Sequence, residues 1–210
     1  MSRERARRAL VTGFGPFPGV KHNPSGEIAR ALDGAGRWKR LGWRVEGLAF
    51  PTDYRHVEAR IGAVAQEPPA FVVMLGVAAR SQRLRVERVA RNRVSATARD
   101  AAGRKVNRRV LEPGAGAIRP GRHAGPVLMR DLRQAGVPTG ISHDAGRYVC
   151  NAAYWWMLGA MPRETRIVFV HIPLPGRPGQ RRHETRPTLP AMIRAITALV
   201  QAEIGRARRR

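Results

Sequence analysis

The chain has 210 residues, with 39 Lys plus Arg against 15 Asp plus Glu for a formal charge of +24, 43% hydrophobic residues and one cysteine. That hydrophobic content supports a sizeable core and excludes a disordered basic protein, while a lone cysteine excludes an internal disulfide and fits a reducing compartment. No stretch approaches the ~18 consecutive apolar residues of a membrane span, and Gly13, Gly15, Pro16 and Pro18 break the segment where a signal-peptide core would lie, so the chain reads as cytoplasmic.

In chain order, residues 9–12 read as a short strand followed by a Gly/Pro loop through 19. Asn23-Pro24-Ser25 opens a helix through Leu32, with Ser25 as the expected N-cap. Residues 45–50 read as a strand that stops at Pro51, and Val57, Ile61 and Val64 recur at helical spacing within 54–66. Residues 71–76 are a continuous apolar run, the pattern of a strand covered on both faces. Residues 84–89 alternate, as an antiparallel or half-exposed strand would. The Arg-, Gly- and Pro-rich segment 91–125 reads as irregular, and so long a connection, when ordered, is often functional. A helix over 126–135 presents Leu128 and Leu132 on one side, and 139–142 forms a short strand. A β-compatible run then ends at Arg147-Tyr148-Val149, where a helix over 150–161 begins with Cys150. Residues 167–172 form a buried strand carrying His171, and 189–204 form an amphipathic helix.

Strand–helix alternation throughout predicts an α/β fold, a sandwich with a mixed, twisted sheet and helices on both faces. With no repeat and no linker, residues 1–210 read as one domain, with a basic arm at 1–8 and a basic tail at 206–210. In such sheets the ligand crevice lies beyond the carboxyl ends of the strands. The Gly13 loop, the Gly76 loop, His171 and Cys150 are expected to gather there.

Several chemistries find little support. The histidines show no His-Glu-x-x-His spacing; His183-Glu184-Thr185-Arg186 is followed by Pro187, so no metal site is expected. Residues 12–17, Thr-Gly-Phe-Gly-Pro-Phe, are neither a dinucleotide fingerprint nor a P-loop, and no cofactor is expected. Phe14 and Phe17 in that loop suit an apolar pocket, or else pack inward. The arginines are scattered and lack interleaved aromatic residues, which favours a solvated or interface role over nucleic-acid binding. A basic polyanion-binding protein is the alternative from a different functional class.

Cys150, at a helix start, lies where the dipole favours a thiolate, though a lone cysteine is also a common small core residue. His171 is a base or a hydrogen-bonded core histidine. Glu87, an acid in an apolar-flanked strand, either orients a base or pairs with a neighbouring arginine.

Three blocks resemble the pyroglutamyl-peptidase I family of cysteine peptidases. Residues 11–17 with Asn23-Pro24-Ser25 are similar to its TGF-x-PF-x-G…NPS signature. Gly76 to Asn92, with Glu87-Arg88-Val89-Ala90, is similar to its GxxGR…ERxAxN segment. Residues 144–151 and 169–173 are similar to its AG-x-[FY]-VCN and F-x-HIP blocks. The resemblance spans roughly 9–200. It implies a phosphorylase/hydrolase-like fold, a cytoplasmic homotetramer, and cofactor-free removal of N-terminal pyroglutamyl groups from peptides. It implies Cys150, His171 and Glu87 as the catalytic residues and Phe14, Phe17, Asn23, Val77, Tyr148 and Val149 as substrate-binding. The sequence departs from the family at Ala78-Ala79-Arg80, where the family has GGR, and at Thr97, where it has arginine. The same thiol chemistry on another small cyclic or acyl amide is the alternative within that fold.

Overall fold

The computed structural model describes residues 7–176 and 186–209. The strands are β1 (Arg7–Phe14), β2 (Trp43–Phe50), β3 (Phe71–Val77), β4 (Leu84–Glu87), β5 (Val89–Arg91), β6 (Ile118–Pro120), β7 (Thr139–Ser142) and β8 (Arg166–Ile172). The helices are α1 (Pro24–Leu32), α2 (Gly36–Arg40), α3 (Tyr54–Gln66), α4 (Gly125–Gln134), α5 (Val149–Ala160) and α6 (Leu189–Arg208). Six strands form one sheet in the order β2-β1-β3-β8-β4-β7. β1, β2, β3 and β8 run parallel, while β4 lies antiparallel to β8 and parallel to β7. The sheet is therefore mixed, with helices on both faces.

Side-chain alternation along β3 divides the core. Phe71, Val73 and Leu75 meet Leu32 of α1, Leu128 of α4 and Leu199 of α6. Val72 and Met74 point the other way, to Val57 and Ile61 of α3 and Ala153 of α5. All of these side chains are buried, which explains the unbroken apolar run of β3. Each fully buried Leu or Ile contributes roughly 1.5–3 kcal/mol, against about 0–1 for an exposed ion pair, so these two layers dominate the stability of the fold.

The charged ends are built into this frame. Arg8 belongs to β1 and donates to Glu46 at 3.0 and 2.8 Å, so the strand includes residues expected to form a free arm. Likewise α6 continues to Arg208. Its buried Glu203 accepts from Arg166 at 2.7 and 3.2 Å and from Arg206 at 2.7 Å, and Arg206 also pairs with Asp131 of α4. The remainder of the expected arm and tail, residues 1–6 and 210, and the His183 segment lie outside the described residues.

Three local expectations are corrected. Asn23, not Ser25, caps α1: its side chain accepts from the Ser25 N–H at 3.1 Å, because Pro24 already occupies the first helical turn. The β-compatible run expected to end at 147–149 is not a strand; β7 ends at Ser142, Gly146 turns at φ +83° and Val149 is already helical. Segment 91–125 is largely irregular but ordered around buried Asn92. That side chain accepts from Leu111 and Glu112 N–H and donates to the carbonyls of Glu112 and Ala115. Within it, β6 pairs antiparallel with β5. Among the described residues no helix is long and apolar enough to cross a membrane.

Candidate active site

The antiparallel register of β4 and β8 sets Arg85 opposite His171 and Glu87 opposite Phe169. Strand side chains two residues apart share a face, so these four residues form one quartet, with Glu87 diagonal to His171. The His171 Nδ1 lies 2.8 Å from Glu87 Oε1. An ionised carboxylate only accepts, so Nδ1 carries the proton in this bond and Nε2 is left free to act as a base. Burial raises the Glu87 carboxyl pKa, but the hydrogen bond and charge of His171, helped by Arg85, bring it below the ordinary carboxylate value.

The ion pair expected between Glu87 and a neighbouring arginine stands beside its hydrogen bond to His171. Arg85 donates to the same Oε1 through Nε at 3.2 Å and Nη2 at 2.9 Å. Glu87 Oε2 is buried, and the Ser142 side chain stands near the carboxylate and helps to lower its pKa. Behind the strand, Tyr154 Oη donates to the Glu87 carbonyl at 3.2 Å and His123 Nε2 lies 3.0 Å from it, so the backbone is clamped as well.

The imidazole is fixed from two further directions. Phe169 packs against it with ring centroids 4.7 Å apart. On β3, Gly76 lies in register with His171, and a Cβ there would sit 2.8 Å from Cδ2 and 2.9 Å from Nε2. Real Cβ contacts are essentially never so short, so glycine is required for the ring to stand where it does.

Cys150 occupies the first turn of α5, whose N-terminus has no side-chain cap, in contrast to α1, α3 and α6. Its backbone N–H groups therefore remain available to a ligand oxygen. The expectation of a ready thiolate is corrected. Burial pushes the Cys150 thiol from 9.0 to about 12, the charge of Glu87 acts in the same direction, and hydrogen bonds to the backbone at Val77 and at Cys150 itself oppose them. A helix dipole is worth about 0.3–1 kcal/mol, less than one pH unit, and burial outweighs it.

Cys150 and His171 line one cavity of about 450 Å³ at the carboxyl ends of β1, β2, β3 and β8. Phe14, Phe17, Asn23, Val77 and Tyr148 line it too. Phe17 and Tyr148 face each other at 6.1 Å, and Tyr148 Oη donates to the Arg99 carbonyl at 2.9 Å. Asn23 donates to the Gly15 carbonyl at 2.7 Å, and Thr52 Oγ1 donates to it at 2.8 Å, so the two side chains together hold the loop that carries the phenylalanines.

Val149 departs from the expected set. Its side chain is fully buried in the α3–α5 layer and does not line the cavity. Thr97 lines a separate cavity of about 470 Å³ with Arg93, Arg109 and Arg147. Arg99 is exposed and turned onto the Gly103 carbonyl at 2.8 Å, so it does not stand in for the missing family arginine within the Cys150 cavity. Thr52 and Arg85 were not singled out from the sequence. Arg85 was discoverable, because alternation in 84–89 puts it on the face of Glu87.

Comparison with known proteins identifies the family. A family model described as pyroglutamyl peptidase matches residues 7–208. The pyrrolidone-carboxylate peptidase of Cupriavidus pinatubonensis is 32% identical over 206 residues, covering 95% of this chain and 94% of the relative. That of Lacticaseibacillus paracasei is 32% identical over 211 residues, covering 95% and 93%. Among solved structures, the pyrrolidone carboxyl peptidase of Thermus thermophilus superposes with a TM-score of 0.81 at 28% identity, covering 91% of this chain and 98% of that one. Bacillus amyloliquefaciens pyroglutamyl peptidase I gives 0.78 at 25% identity, covering 92% and 94%. Matched along nearly its whole described length, the chain belongs to the pyroglutamyl peptidase family.

Proposed function

We propose that this protein removes the N-terminal pyroglutamyl residue from peptides through a Cys150–His171–Glu87 triad. The observation that carries the reading is the buried 2.8 Å contact between His171 Nδ1 and Glu87 Oε1, behind a cavity that His171 shares with Cys150.

Because the free thiol is held protonated by burial, its proton leaves as the sulfur attacks. His171 Nε2 takes that proton while Sγ bonds to the pyroglutamyl carbonyl carbon. Glu87 keeps the ring in the tautomer that makes this transfer work and stabilises the imidazolium that forms. The carbonyl oxygen takes the negative charge and is met by uncapped N–H groups of the α5 first turn. When the tetrahedral intermediate collapses, the C–N bond breaks, His171 returns its proton to the leaving amine, and a thioester remains. Water activated by the same imidazole then attacks the thioester and frees pyroglutamate and the thiol. The lactam is flat and neutral, so its ring suits the wall of Phe14, Phe17 and Tyr148. On the same reading the enzyme is a cytoplasmic homotetramer, which sedimentation of the purified protein would test for the assembly.

The test is release of coumarin from a pyroglutamyl-coumarin amide by wild type and Cys150→Ala together. Wild type is expected to turn over and the variant to lose activity by at least about 10⁴-fold, as removal of a covalent nucleophile does elsewhere. Retained turnover in Cys150→Ala would rule out the mechanism. A wild type inert on pyroglutamyl amides yet active, through Cys150, on another small cyclic amide would move the reading to that substrate.

A further inference from the structure

The charged groups that line the Cys150 cavity are all basic or titratable toward cations: Arg80, Arg85 and His171. The nearby acids are turned away or neutralised. Glu87 is buried under His171 and Arg85, while Asp144 pairs with Arg91 at 3.1 Å and accepts the Gly146 N–H at 3.0 Å. Arg80 is exposed and has no ion pair among the described residues.

These cations also stand on a defined side of the reaction. The leaving amine must reach His171 to receive its proton, so the chain beyond the scissile bond departs on the His171 side. Arg85 lies directly across the β4–β8 ladder from His171, and Arg80 and Ser81, in the β3–β4 turn, line the same cavity. The pyroglutamyl ring itself carries no charge for them to read.

Resting on the function proposed above, we infer that Arg80, backed by Arg85, selects substrates with a carboxylate just beyond the scissile bond. The carboxylate comes either from an acidic side chain or from the free C-terminus of a pyroglutamyl dipeptide. A guanidinium offers several fixed donors to a carboxylate, and Arg80 has all of its donors uncommitted to an ion pair, whereas Arg85 already spends two on Glu87. Arg80 is thus the recognising group, and Arg85 adds field.

The experiment compares kcat/KM for four substrates: pyroglutamyl-Glu amide, pyroglutamyl-Ala with a free carboxylate, pyroglutamyl-Ala amide and pyroglutamyl-Lys amide. The neutral coumarin amide serves as reference. At low salt the Glu substrate is expected to exceed the Lys substrate about tenfold, with the gap closing near about 1 M salt as screening shortens to ~3 Å. Preference for free pyroglutamyl-Ala over its amide would assign the terminal carboxylate, and preference confined to the Glu amide would assign the side chain. Arg80→Glu should reverse the Glu/Lys ratio, and Arg60→Glu, on the exposed side of α3, should leave the ratio in place. Equal rates for the Glu and Lys amides together with no preference for free pyroglutamyl-Ala over its amide, or a preference moved as much by Arg60→Glu as by Arg80→Glu, would overturn the inference and leave the peptidase reading standing. Absence of coumarin turnover in wild type would instead overturn the peptidase reading itself.

Discussion

The two walls of the Cys150 cavity differ in how they are held. The aromatic wall of Phe14, Phe17 and Tyr148 comes from the end of β1, a loop and a helix entrance, and its rings sit 6.1–6.4 Å from aromatic neighbours. The reactive wall of His171 and Arg85, with Glu87 buried behind it, comes from two hydrogen-bonded strands, and each of the three is tied to another at 2.8–3.2 Å. Regular strand register delivers angular precision, which proton transfer needs. A loop-borne apolar surface delivers contact area, which ring binding needs. Damage to the first wall should therefore appear in KM, and damage to the second in kcat.

The sharpest test of that division is Gly76→Ala, the change with the largest expected effect of those that leave the triad residues in place. The added methyl would meet the imidazole at 2.8–2.9 Å and Phe169 at 3.0 Å, so His171 must tilt while the rest of β3 keeps its pairing. A misplacement on the order of 1 Å costs about 10²-fold in rate. Steady-state kinetics on the coumarin amide should show kcat down by about that factor with KM little changed. A variant that instead raises KM at constant kcat would break the assignment of precision to the strand wall.

The thiol sits between the walls, and its protonation gives a second test. With the Cys150 pKa raised to about 12 by burial, the thiolate fraction of the free enzyme grows about tenfold for each pH unit below that value. Because the folded-state pKa is raised, the neutral thiol is the form present at physiological pH, and the charged form appears only in alkali. Inactivation by iodoacetamide should thus rise about tenfold per unit from pH 7 to pH 9 without levelling off. A plateau near neutrality would mean that the thiolate already exists as an ion pair in the empty site, and that the attack needs no concerted proton transfer.

Much of this was readable from residue order, for reasons that differ by region. β3 and β8 are buried on both faces, so their apolar runs carry the signal themselves, and α3 was bounded correctly by its helical spacing and the break at Pro51. The quartet on β4 and β8 was half legible. Alternation placed Arg85 with Glu87, but only the antiparallel register brings them to His171. By contrast α2 is five residues with one buried side chain, Trp38, and β6 is three residues containing proline, so neither carries enough pattern to detect. The Cys150 pKa depends on burial from α3, β3 and the loops, which local sequence does not encode. Val149 shows the same limit: the family resemblance suggested the pocket, yet at the start of α5 its side chain is buried in the core.

The aromatic wall yields the smallest effect and the one most exposed to contradiction. Phe14 is almost fully buried and braced edge-on by Phe50, whereas Phe17 is half-exposed and has Tyr148 as its ring partner. Truncating Phe14 would open the core and confuse binding with stability, so Phe17→Ala is the cleaner probe. Loss of one exposed aromatic contact is worth about 1 kcal/mol, or roughly fivefold in an equilibrium constant. KM for the coumarin amide should therefore rise about fivefold with kcat held within about twofold, and the melting temperature should stay near that of wild type. A fall in kcat equal to the loss in kcat/KM would show that Phe17 grips the ring only in the transition state. The two walls would then share the work of orientation, and the division between precision and area would fail on its apolar side.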